Sequence, residues 1–427
     1  MRASRPPAPA ALLVAALPLV AALAAGCTDA WRTVEFVEGL RVLGIRAEPP
    51  DLRPGEWSTL DALVVDPRDP TRVNTLIWLA CHPDPTSLDQ PRCAQYATLE
   101  SLNGTDGSAD PATIPDDLVP LGMTAPAGAP KLSIVYPAPA DVFANVAADD
   151  PRRQKGVLAI VLMLAIAEPP PERWPPTKED LQLLLARVRA KQVDSVLSIK
   201  RLRISETATP NHNPVLSKIR LGDGEWGPGT RPAKVWPGVW NELTALPADG
   251  STETYLDLDA DGNEVTKVEH LSVSWFTTVG GLNNARTLAG ELEKPEKLYA
   301  PYVLQEVPED RLGTLYAVMR DGRGGADPFV LPFFICDPNR APPSVTSLEP
   351  ASGPPGTVVR IQGTGLDDLI DAGAGSDALG SAAWDEASQA YVGTIPARAA
   401  VGELAIVPRG KGCAPDPSGT FTVTAKK

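Results

Sequence analysis

Eleven residues from Val157 to Ala167 carry no polar side chain; Gly156 stands before them and the Pro169, Pro170, Pro171 run closes them off. A helix needs about 20 apolar residues to cross a bilayer, so this run is too short to be one. Bounded by turn residues, it reads as a strand buried on both faces, and whatever covers it sets the architecture. Around it lie shorter runs with strand alternation, at 40–47, 58–65, 74–81, 132–136 and 193–204, the third carrying Trp78 in its middle. The sequence predicts one helix, at about 178–191. Thr177 is its N-cap with Asp180 three residues on, and Leu181, Leu184, Leu185 and Val188 share a face that would lie as a lid over a sheet edge.

The pattern then recurs. Strand-like runs fall at 215–221, 240–243, 252–258, 265–277 and 313–320. Trp275 sits in the fourth as Trp78 sits in the earlier set, and Gly313 leads an apolar strand as Gly156 does. A tryptophan strand, a long loop and a glycine-led buried strand, occurring twice, predict two related β-sandwiches in tandem. The expected fold class is mainly β, with proposed units at 40–205, 206–338 and 342–425 after a tether at 27–39. The 46 prolines and 35 glycines, against an aromatic share of 5%, suit many short elements joined by turns.

Formal net charge is −14, and it becomes −16 once residues 1–26, with two arginines and no acids, are removed. Such a surface repels nucleic acid, so no nucleic-acid partner is expected. Besides Cys27 there are four cysteines, Cys81, Cys93, Cys336 and Cys413, which allow three pairings. Cys81 with Cys93 would close a short loop rich in Pro, Asp and Ser. Cys336 with Cys413 would tie the start of the last unit to its own final hairpin. Zinc is disfavoured, because no pair has two-residue spacing and only His82 stands near a cysteine.

The residues 1–27 resemble a bacterial lipoprotein signal: Arg2 and Arg5, an apolar run from Ala10 to Leu23, then Ala24, Ala25 and Gly26 before Cys27. The resemblance implies cleavage before Cys27 and lipidation of its thiol. Thr28, where lipoproteins kept at the inner membrane typically carry Asp, implies the outer membrane. Two strands, a turn and a strand centred on Trp78 resemble the opening of an immunoglobulin-like sandwich, in which the tryptophan packs between the sheets. Residues 317–325 resemble the late strand and turn of polycystic-kidney-disease-type Ig-like modules. Residues 343–366, with Leu348, Pro350, Gly353, Gly356, Ile361, Gly363 and Gly365, resemble the opening of the IPT/TIG family of Ig-like domains. That resemblance implies the fold of the last unit and leaves its task open.

Chemistry-bearing motifs are sparse. Asp257, Asp259 and Asp261 alternate ahead of Gly262, as in a calcium loop, but position 12 of the EF-hand pattern is Val268, and a hairpin tip explains the same residues. Calcium is therefore the one cofactor the sequence suggests. His82, His212 and His270 have no metal-ligand spacing, and no nucleophile elbow or phosphate loop occurs. Trp226, Trp236 and Trp240, beside Gly and Pro turns, could stack on a sugar ring. The expectation is a non-catalytic, lipid-anchored envelope protein that presents Ig-like domains to a protein or glycan partner. The alternatives are a carbohydrate-binding or calcium-dependent adhesion module, or an envelope hydrolase using a carboxylate pair within 82–131.

Overall fold

A computed structural model describes residues 34–84, 87–91, 118–126, 134–221, 224–228, 231–259, 263–301, 306–375 and 377–426. The chain is mainly β, built from tandem Ig-like sandwiches. Residues 1–33 with Cys27, and Cys93 and Asp261, lie outside the described residues.

The first sandwich contains β1 (Arg41–Glu48), β2 (Asp51–Leu52), β3 (Trp57–Val65), β4 (Thr75–Cys81), a small hairpin β5 (Pro83–Asp84) and β6 (Ser87–Pro91), β7 (Val119–Met123), β8 (Ile134–Pro137), helix α1 (Pro151–Lys155), β9 (Val157–Ile166), helix α2 (Lys178–Arg189) and β10 (Ser195–Ile204). Its sheets run β1-β3-β8 and β2-β10-β9-β4-β7. The structure adds elements to this unit beyond those expected from the sequence. A second, five-residue helix, α1, starts at Pro151, with Asp150 as its N-cap. And β7 adds a strand to the sheet within a stretch read as loop, pairing with β4.

The apolar run is β9, and both of its faces are covered except at Leu158, which is half-exposed on the outer face. Val157, Ala159, Val161, Met163 and Ala165 point into the sandwich core with Trp78, Tyr136 and Leu202. Leu162 packs with Leu79, Cys81 and Leu118, while Leu164 and Ile166 lie under Leu184 and Val188 of α2. The helix thus covers the outer face of central strands and not a sheet edge. It is closed at its start by the reciprocal Thr177 and Asp180 capping box.

The second sandwich contains β11 (Leu216–Leu221), β12 (Gly224–Trp226), β13 (Ala233–Val235), β14 (Trp240–Pro247), β15 (Thr254–Leu258), β16 (Glu264–Val268), β17 (Ser272–Thr277), β18 (Gly281–Leu282), β19 (Arg286–Thr287), β20 (Glu296–Tyr299), β21 (Leu312–Arg320) and β22 (Ala326–Ile335). Its sheets run β12-β11-β14-β20-β18 and β13-β22-β21-β17-β19. The third contains β23 (Ser347–Glu349), β24 (Ser352–Gly353), β25 (Val358–Gln362), β26 (Leu369–Ala374), β27 (Asp377–Ala378), β28 (Gly380–Asp385), β29 (Ala390–Thr394), β30 (Gly402–Gly410) and β31 (Gly419–Val423). These make the sheets β23-β25-β29-β28 and β24-β31-β30-β26-β27.

One plan repeats three times. A short strand runs parallel to the last strand of its sandwich, β2 on β10, β13 on β22 and β24 on β31. Trp78 on β4 and Trp275 on β17 occupy equivalent core strands, and Gly156 and Gly313 lead the equivalent strands β9 and β21. The stretch read as a single strand over 265–277 is two. β16 belongs to a separate hairpin with β15, and the chain turns at Glu269, whose carboxylate binds Arg323, before β17 begins.

The sandwiches are packed together, not strung loosely. Leu43, Leu63 and Val65 on the outer face of the first meet Tyr316, Val318 and Phe276 on the outer face of the second. Gly44 permits that approach, since a Cβ there would lie 3.0 Å from Val318 Cγ1. The chain ahead of β1 joins in: Val37 N–H donates to Thr277 O at 2.8 Å, and Thr277 N–H donates to Glu35 O at 2.9 Å. Between the second and third sandwiches stand the Cys336–Cys413 disulfide and the buried ion pair of Lys234 with Asp416, 2.7 Å.

Candidate functional site

Asn241, buried near the start of β14, builds a rigid turn. Its Oδ1 accepts from Trp236 N–H at 3.0 Å, and its Nδ2 donates to the carbonyls of Trp236 (3.1 Å), Val239 (3.3 Å) and Leu298 (3.3 Å). Gly238, at φ 73°, closes the turn by donating to Ala300 O, 2.8 Å. The turn leaves its apolar side chains in solvent: Trp236 is 47% exposed and Trp240 50%. Register pairs Trp240 with Tyr299 across β14 and β20, and their rings sit 5.4 Å apart at 53°, a tilted aromatic contact.

Tyr299 also lines a cleft of about 440 Å³ with Phe36, Val279, Gly280, Gly281 and Pro301. Glu306 is the acidic residue of that lining. Gly280, at φ 80°, could not carry a side chain, because a Cβ would lie 1.9 Å from Tyr299 O. The arrangement is a half-exposed indole braced by a phenol ring beside an apolar cleft, on backbone held by a buried amide. It presents flat apolar faces at low ordering cost, which suits binding more than proton transfer. Trp236 and Trp240, singled out in the sequence, are half-exposed; Tyr299 and Phe36 carry no such local signal, because only strand pairing and the docked segment ahead of β1 bring them there.

Trp226 does not belong to this group and is a correction. It is 8% exposed, its Nε1–H donates to Leu221 O at 3.0 Å, and the Arg409 guanidinium of the third sandwich stands 4.9 Å above its ring. Its ring is part of the joint between sandwiches and is closed to a ligand.

The acidic hairpin uses its own carboxylates. Asp257 pairs with Lys267 at 2.6 Å across the β15–β16 hairpin, and this contact holds its carboxyl below the usual carboxylate range. Asp259 accepts from Asn263 N–H, 2.9 Å, closing the turn. Among the described residues no group of three His, Cys, Asp or Glu side chains is placed to hold a metal ion.

The histidines sit apart. His82 Nδ1 lies 3.0 Å from Tyr136 Oη, and His212 Nδ1 2.6 Å from Glu253 Oε1, while His270 is exposed. One ionic cluster is a clasp: Arg323 binds Glu269 at 2.9 Å and Glu253 at 3.5 Å and lies 4.0 Å over the Tyr255 ring, fixing the hairpin to the second sandwich. Burial is the main influence on Glu269 and raises its pKa. Cys336 and Cys413 are joined, and Cys81 is also disulfide-bonded. Among the described residues no helix is long and apolar enough to cross a membrane.

No protein-family model matches the chain, and no curated protein matches it. Solved structures give distant similarities. One is the mixed-linkage glucan utilization locus protein SGBP-B of Bacteroides ovatus, in complex with a mixed-linkage heptasaccharide: 13% identity, 51% of this chain and 48% of that one, TM-score 0.17. A structure with xylogluco-oligosaccharide has 13% identity over 90% of this chain and 60% of that one, TM-score 0.18. Protocadherin gamma B2 cadherin domains 3–6 have 12% identity over 70% and 63%, TM-score 0.16. The chain spans less than two thirds of the length of each. At such scores function rests on the residues themselves.

Proposed function

We propose that this chain is a lipid-anchored, non-catalytic protein of the cell envelope, held in the outer membrane through Cys27, whose packed sandwiches present the Trp236–Trp240 turn and its cleft to a carbohydrate. In this reading the third sandwich is an IPT/TIG-type module with no catalytic task. The observation that carries the ligand assignment is Trp240, half-exposed yet fixed by Tyr299 and by the Asn241-stapled turn. An indole held in that state offers a face for a sugar ring without first having to be ordered. The anchor rests on the charged, apolar and small-residue order of positions 1–27.

A glycan array probed with the purified protein, followed by calorimetry on the best ligand, tests the carbohydrate assignment. Trp240→Ala should weaken binding about tenfold or more, a stacking loss of about 1.5 kcal/mol. Unchanged binding in Trp240→Ala would remove the cleft from the assignment. For the anchor, Cys27→Ser should move the protein from the membrane to the soluble fraction, and continued membrane partition would refute lipidation there.

A second reading follows from the position of the tether. Val34 is 74% exposed, and Phe36 of the cleft is only nine residues beyond Cys27, so the cleft would stand within about 30 Å of chain reach from the anchor. Tryptophan and tyrosine favour the membrane–water interface. If Trp240→Ala lowers vesicle association of the lipidated protein and leaves glycan binding intact, the aromatic turn rests on the bilayer.

A further inference from the structure

A second concavity, sharing no residue with the aromatic cleft, opens where the first two sandwiches meet. Its volume is about 450 Å³, within the range of small-molecule sites. One wall is β1 at Val42 to Ile45, the edge strand of its sheet. Another is β10 at Ser198 to Arg201, a stretch where β10 pairs with β9 on one side only, because β2 reaches just Arg203 and Ile204. The glycine-rich loop after Arg320 closes the groove.

The charge here runs against that of the chain. Lys200, Arg201 and Arg320 all line the groove, in a protein of net charge −14. Among the described residues none of the three forms an ion pair, and Arg286 is near enough to Arg320 to repel it. Lys200 is 9% exposed and its amine donates to Gly324 O, leaving two of three protons uncommitted among the described residues. Arg320 donates to Ser274 Oγ (2.9 Å) and Leu43 O (3.1 Å), both uncharged acceptors.

The nearby acid is Asp321, and its oxygens are engaged elsewhere. Oδ1 accepts from the N–H groups of Arg323, Gly324 and Gly325, and Oδ2 accepts from Asn211. The cost of leaving cations in this state is visible: burial pushes the Lys200 amine down to about 8 and holds Arg320 below its usual range. Asp321 favours the charged amine from a distance, but burial and the neighbouring Arg320 outweigh it, and Lys200 lacks the paired counter-charge that buried charges normally have.

We propose that this groove binds an oxyanion group, phosphate or carboxylate, carried on a small ligand held between the first and second sandwiches, with Lys200 and Arg320 as inner donors and Arg201 as the outer one. A ligand there supplies the missing negative charge and bridges two units at once. The site is independent of the carbohydrate assignment and of the lipid anchor.

Calorimetry on the full-length protein at low ionic strength tests it with two probes, inorganic phosphate and a galacturonate trisaccharide. One-site saturable binding is expected, weakened about tenfold by Lys200→Met and by Arg201→Ala, since each removes a charge-assisted contact. It should also fall steeply with added salt. Arg201 is exposed, so its variant tests the site even if Lys200→Met disturbs folding. Tighter binding of phosphate supports a phosphate-bearing ligand, and tighter binding of the uronate a carboxylate-bearing one. Failure of both probes to saturate overturns the proposal. So does equal affinity in Arg201→Ala, or an equal loss in the remote variant Lys297→Ala, which would mean diffuse attraction only.

Discussion

Replacing Asp321 by Ala and by Asn should separate two ways of holding the joint between the first two sandwiches. Its Oδ1 accepts three backbone N–H bonds, from Arg323 at 2.7 Å and from Gly324 and Gly325 at 3.0 Å, and its Oδ2 accepts from Asn211 Nδ2 at 2.8 Å. The carboxylate is buried. Alanine strands all four donors, and an unpaired buried donor costs about 1–3 kcal/mol. Water reaching the part-exposed loop offsets some of this, so the total is about 4 kcal/mol. Asparagine keeps a carbonyl oxygen for the three N–H groups. Its new NH₂ would face Asn211 Nδ2, but Asn211 can turn its amide over and present Oδ1, which is buried without a partner in the native structure. The Asn variant then loses mainly the charge assistance, about 1 kcal/mol.

Scanning calorimetry on the full chain is the assay. At roughly 2–4 °C per kcal/mol, Ala should lower the transition of the first two sandwiches by about 10 °C and Asn by about 3 °C. Equal shifts for the two variants, or an Ala shift no larger than that expected for Asn, would refute the reasoning that backbone donors are what Asp321 serves.

Three further outcomes follow from the same geometry. Asp66 accepts from Arg68 Nε at 2.8 Å and also pairs with Arg72, and these contacts hold its pKa below the ordinary carboxylate value. Its stabilising contribution is therefore complete above about pH 4 and is lost as pH falls through the lowered folded value, so Asp66→Asn should flatten the acid limb of urea stability measured between about pH 2 and 5; parallel wild-type and variant curves would contradict this. Reducing Cys336–Cys413, whose partners are 77 residues apart, should remove about 4.5 kcal/mol from the third sandwich by freeing the unfolded chain, checked by its melting with and without reductant once free thiols are confirmed. Gly313→Ala would place a Cβ 2.3 Å from the Phe333 ring and should cost about 2 kcal/mol in denaturant titration, whereas Gly281→Ala meets nothing within 4 Å and should change little.

Local chemistry made several elements legible in the amino-acid order. The apolar run at 157–167, the Thr177 capping box, the tryptophan strands and their glycine-led partners all depend on contacts within a few residues or on side-chain alternation, which a linear chain displays. The same holds for the exposed Trp236 and Trp240, because Gly238 and Asn241 that shape their turn are neighbours in sequence. Less visible were the strands at 326–335 and 369–374. Pro328 and Pro332 interrupt the alternation of the first, and Asp371 and Gly373 dilute that of the second.

What only the tertiary structure decided is which surfaces meet. Trp226 looks like its exposed neighbours until Arg409, 183 positions later, covers it. Tyr299 and Phe36 join Trp240 through strand register and a docked N-terminal segment, and Lys200 shares a groove with Arg320 because two sandwiches pack face to face. Sequence patterns report how a residue sits within its own element. Burial of one element by another is a sum over distant surfaces, and no local rule contains it.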